Sequence, residues 1–126
     1  MTAAIYLGWA IAIVLIIVGV WALVSPHTLS REYGVQVEGH EAAGFVRATG
    51  IRDVAIGIVL AATAYLHLLG LLAIVAAVGI AVSIGDLWVV SQHGGLRRFH
   101  RAHAIHASGV VAFILVVAMA LFAVGR

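Results

Sequence analysis

The stretch from Thr2 to Val24 contains no charged side chain, and three more stretches, at about 42–66, 68–92 and 101–124, are nearly as apolar. A run of roughly 20 apolar residues is what an α-helix needs to cross the hydrocarbon layer of a bilayer. A helix also satisfies its own backbone hydrogen bonds there, where water cannot. The chain has 126 residues, of which 64% are hydrophobic and only 10% charged; soluble domains have about 45–50% and about 25%. So short a chain buries only part of its apolar surface as a soluble monomer, and lipid is the expected solvent. The expected architecture is all-α: one integral-membrane domain, a four-helix up-and-down bundle.

The breaks between the runs agree with this. Ser25-Pro26 ends the first run, because Pro cannot continue a helix. That run lacks a basic leader and is too long for a signal peptide. The short connection around His67 predicts a tight antiparallel hairpin, and Gly94-Gly95 interrupts the chain before the last run. Only the segment Ser25–His40 is long enough for structure of its own. Within it, Tyr33-Gly34-Val35-Gln36-Val37 reads as a short strand or an interfacial segment.

Four spans put both termini on one side. Arg31, Arg97, Arg98 and the nearby Arg101 gather on the other, so the positive-inside rule makes the long loops cytoplasmic and the termini external. Basic residues are all Arg or His, with no Lys, which fits a GC-rich bacterial genome and a bacterial inner membrane. The absence of Cys excludes disulfides, iron–sulfur clusters and thiol catalysis. A net charge of +2, scattered along the chain, does not suggest nucleic-acid binding. No nucleophile motif, phosphate-binding glycine loop or zinc-protease helix is present, and no cofactor is expected.

The functional signal lies in the charges inside the apolar runs: Arg47, Arg52 and Asp53 in the second, Asp86 in the third, with Glu41 at a border. Charges in a bilayer are costly and mark partners, water or a site. At about 1.5 Å of rise per residue, these groups and His103 and His106 all lie at mid-depth or towards the loops. The terminal half is almost purely apolar. At about 100° per residue, Gly79, Ser83, Asp86 and His93 share one stripe, and His100, His103 and His106 another. Arg47, Arg52 and Asp53 diverge around their helix, which is therefore expected at the centre of the bundle, with Gly50 and Gly57 permitting close approach. Asp86 is the expected partner of Arg52, and Arg47 that of Asp53 or Glu41. Trp88 and Phe99 read as interfacial anchors and Trp9 as a packing residue.

Three uses fit such charges. They form a structural ion-pair network, or a site for a hydrophobic small molecule or lipid, or an ion path. The absence of charges in the terminal half counts against conduction. A metal shared by the His stripe and Asp86 is a further possibility, but a basic interfacial cluster explains His100 and His103 better, and no metal is expected. In a site, Asp53, Asp86 and His106 are the acid–base candidates and Arg47 and Arg52 the groups that hold substrate. Isomerisation, cyclisation or epoxide opening of a lipid-like molecule is the matching chemistry. The alternative is a non-enzymatic membrane module or subunit. A homo-oligomer is expected, since so few spans leave polar faces for a second copy to cover.

The run Arg47-Ala48-Thr49-Gly50-Ile51-Arg52-Asp53-Val54-Ala55-Ile56-Gly57, followed by Gly85-Asp86 and Ala104-Ile105-His106, resembles the signature of a family of small membrane proteins known as domain of unknown function 4267. The resemblance covers most of the chain from Ser25-Pro26 onward. It implies a four-helix fold with Arg52, Asp53, Asp86 and His106 as signature polar positions, and it implies no activity. His100 and His103 fall outside the pattern.

Overall fold

The computed structural model describes residues 2–32, 37–93 and 99–125. They form an all-α chain of five helices: α1 (Thr2–Val24), α2 (Pro26–Glu32), α3 (Gly39–Tyr65), α4 (Leu69–His93) and α5 (Phe99–Val124). Three of them contain stretches long and apolar enough to cross a membrane, Ala3–Val24, Leu69–Gln92 and Ala102–Val124. The fourth long helix, α3, carries Arg47, Arg52 and Asp53 and is not among the three. Arg97, Arg98 and most of the 33–37 run lie outside the described residues, as do the side chains of Phe99, His100 and Arg101.

The short helix α2 was not expected. Pro26 stops α1 but also opens α2, since proline's fixed φ and missing N–H suit a first helical position. Leu29 N–H donates to the Ser25 carbonyl at 3.1 Å, and Pro26, Leu29 and Ser30 are buried. The α3–α4 hairpin closes as the short connection predicts. His67 N–H donates to Ala64 and Leu68 N–H to Thr63, with His67 at φ +55°. This is a Schellman closure with a histidine in the left-handed position usually held by glycine.

The long helices associate as two pairs, α1 with α3 and α4 with α5, and the pairs touch each other much less. Glycine lets α1 and α3 meet backbone to backbone. A Cβ on Gly50 would stand 2.7 Å from the Gly19 carbonyl oxygen, and one on Gly57 would stand 3.0 Å from that of Ala12. In α4–α5, Gly79 leaves room for the Phe113 ring, which a Cβ would meet at 2.5 Å.

The buried core lies at the end of the long helices that carries the termini. Leu60, Leu72 and Val116 are fully enclosed there, and Ala64, Ala76 and Ala120 fill the space between them. The outer surfaces stay apolar, with Ile17, Ile51, Ile58, Ile74, Trp88 and Phe122 exposed. A continuous surface of this kind is poorly solvated by water and suits association with a membrane. Two expectations need correcting. Trp9 is 36% exposed and absent from the core cluster. Nor is α3 central: it packs chiefly on α1, and Ile51, Ile58 and Val59 on its outer face are exposed.

Candidate functional site

Away from the packed end, the two helix pairs part and leave a cleft of about 560 Å³ between them. Its walls are mostly aliphatic, with Ile11, Val14 and Leu15 from α1, Val82 from α4 and Ala112 from α5. Phe113 belongs both to the core cluster and to the cleft lining, so its ring forms the floor. Ser30 of α2 and Val37 complete the lining at the loop end. Into this apolar space come Arg52 and Asp53 from α3, Asp86 from α4 and His106 from α5.

Arg52 organises the polar group. Its Nη1 donates to Asp86 Oδ1 at 3.0 Å and its Nη2 to Asp86 Oδ2 at 3.0 Å. This fork-to-fork pairing is strong and directional, and it ties α3 to α4. The same guanidinium also turns back on its chain neighbour, with Nε 3.1 Å and Nη2 2.9 Å from Asp53 Oδ1. The side chains of Arg52, Asp86 and Asp53 are 34%, 27% and 16% exposed. The cluster is thus partly enclosed yet still open to the cleft. Adjacent residues on a helix do not face each other; the length of the arginine side chain overcomes that here.

The Arg52–Asp86 pair is the one expected from depth. The partner expected for Asp53 is not. Arg47 donates from Nε to the Leu23 carbonyl at 3.3 Å and forms no ion pair among the described residues. It therefore holds the C-terminal turn of α1, where unfilled carbonyls favour a cation. Arg47 is also missing from the cleft lining. The sequence holds a partial signal for this: Pro26 has no N–H, so the last turn of α1 lacks a backbone donor.

The His stripe divides. His106 lines the cleft, close enough to Asp86 and Arg52 for their charges to act on its ring. His103 lies outside the lining, with Nε2 3.0 Å from Ser91 Oγ. The same Ser91 hydroxyl also lies 2.7 Å from the Leu87 carbonyl. Among the described residues, no three His, Asp or Glu side chains are grouped to hold a metal.

Sequence reasoning missed several lining residues: Thr49, Ser83 and Ser108 among the polar ones, and Phe113 at the floor. Ser83 shares the Asp86 stripe in the sequence, which is the one signal for its place in the lining. Phe113 carried no signal beyond its size.

A family model described as Domain of unknown function (DUF4267) matches residues 12–121. No curated protein and no solved structure matches the chain.

Proposed function

The chain belongs to the DUF4267 family, whose description assigns no activity, and from the geometry of the cleft we propose a membrane-embedded site for a hydrophobic small molecule. One observation carries this reading: an apolar space of about 560 Å³ into which Arg52, Asp53, Asp86 and His106 converge from three helices. Greasy walls with a few convergent polar groups are the usual form of a small-molecule site.

In this reading α3 is the fourth membrane crossing and the chain is a four-span bundle. Its 27 residues measure about 40 Å at 1.5 Å per residue, enough for a hydrocarbon layer of about 30 Å. Its charges turn to the cleft and to α1, while Ile51, Ile58 and Val59 face outward. The loops are cytoplasmic and both termini external, in a bacterial inner membrane. A reporter fused after Arg126 then reads as external in cells; a cytoplasmic signal reverses the orientation.

The matching chemistry is proton transfer: isomerisation, cyclisation or epoxide opening. Each proceeds through proton transfer to or from a positioned side chain. Asp53 and His106 lie on α3 and α5, which barely touch each other. Asp86, with both oxygens in the Arg52 fork, positions Arg52 and through it Asp53. The test is extraction and mass spectrometry of molecules that co-purify with the full chain. A hydrophobic species other than bulk lipid is expected with the native chain and depleted in Ala112→Phe, which fills the wall. Identical extracts from both overturn the reading.

One observation favours the structural alternative, a non-enzymatic module. Asp53 and Asp86 between them take four hydrogen bonds from Arg52, a self-contained network of the sort that fixes helix register. Such a module binds nothing in the cleft, and the same extraction separates the two.

A further inference from the structure

On the reading that the cleft admits a hydrophobic molecule, we infer that the molecule it takes is an apolar amine in its protonated form, held by Asp53. Several groups of the polar lining present lone pairs to the cleft. Asp53 accepts two bonds, both from Arg52 and both on Oδ1; among the described residues nothing donates to Oδ2. Thr49 gives its hydroxyl proton to the Val46 carbonyl at 2.7 Å and Ser108 gives its own to that of Ile105 at 2.7 Å. Both line the cleft, and with their protons engaged in their own helices they offer it lone pairs. On the donor side, four bonds to carboxylates occupy most of the guanidinium, which has five N–H groups.

The charges point the same way. Within the hydrogen-bonded cluster, two carboxylates meet one guanidinium. The nearest other arginine on the helix, Arg47, is turned to α1 and does not line the cleft. An uncompensated charge in apolar surroundings is costly. A protonated amine offsets the excess negative charge and supplies the donor that Oδ2 lacks; a carboxylate or phosphate ligand adds to the excess. The hydrocarbon part of the amine then lies against Ile11, Val14, Leu15 and the Phe113 floor.

Three molecules of nearly one shape separate the possibilities: 1-aminoadamantane as the cation, 1-adamantanol as the neutral donor and adamantane-1-carboxylate as the anion. Their binding to the full chain in nanodiscs is measured by calorimetry, with empty nanodiscs subtracted. A charge-assisted hydrogen bond exceeds a neutral one by enough to favour the amine over the alcohol about tenfold, and the carboxylate is expected to bind weakest. Asp53→Asn should remove the preference for the amine while the alcohol still binds. The ranking by the native chain decides by itself if that variant fails to fold. Equal binding of all three, or preference for the carboxylate, overturns the cation inference and leaves an apolar site. Binding of none overturns both that inference and the small-molecule reading.

Discussion

The two ends of this molecule are built from the same four long helices and pack in opposite ways. At the terminal end, Leu60, Leu72 and Val116 interlock with small alanines and exclude all space. At the loop end the helix pairs separate around a cleft, and the contact across it is one arginine held by a carboxylate of the other pair. The sequence chemistry explains the difference. Alanine and leucine let helices close on one another through dispersion contact. A guanidinium and two carboxylates must keep their hydrogen bonds, so they set a minimum separation. One end positions the helices, and the other is left free to be a site.

The sharpest way to break this comparison is to hollow out the packed end. Leu72→Ala is expected to cost about 2–5 kcal/mol, read as a lower midpoint of thermal unfolding in detergent. An effect below that range would mean the terminal end is not the structural one. Next in size is Arg52→Met, which strands Asp53 and Asp86 beside an apolar wall and is expected to cost about 1–3 kcal/mol. Replacing all three, as Arg52→Met with Asp53→Leu and Asp86→Leu, should recover much of that loss, because a missing partner is worse than a missing network. If the single variant matches the native chain in stability, the ion pairs contribute nothing to the fold.

Gly79→Ala tests the boundary between the ends. Its new methyl meets the Phe113 ring at 2.5 Å, so the ring must move, at about 1–3 kcal/mol for overpacking. Since Phe113 is the floor, the same variant should also weaken binding of any molecule found in the cleft. The smallest effect belongs to Val14→Ala on the cleft wall. Val14 is 59% exposed, and its truncation should alter stability by less than about 0.5 kcal/mol. A loss as large as that of Leu72→Ala would erase the distinction between the ends.

Much of this was legible in the sequence because apolar length and charge position are local properties. The four long helices follow from runs of about 20 apolar residues. The division into a polar half and an apolar half follows from the depths of Arg52, Asp86 and His106. So does the Arg52–Asp86 pair, which joins residues at similar depth on consecutive antiparallel helices. What depth does not give is reach. Arg52 bends back to Asp53 because a long flexible stem defeats the divergence of neighbouring positions. Arg47 turns away from the cleft because α1 happens to end beside it. The helix at Pro26 was missed because proline carries two meanings, stop and start, and only the first was read. The floor at Phe113 depends on a glycine in another helix, a pairing that no single run of residues contains.

The arginine that joins the two helix pairs has one more consequence. Its planar head touches carboxylates on α3 and α4 at fixed bonding distances, so it works as a strut whose length sets the gauge of the bore. Lysine at this place would keep the charge but lose the fork; a single ammonium cannot brace two carboxylates at both angles. The bore would then narrow or tilt although no wall residue had changed. The width of the cleft would be decided by one residue whose hydrogen bonds are already taken up by the protein itself.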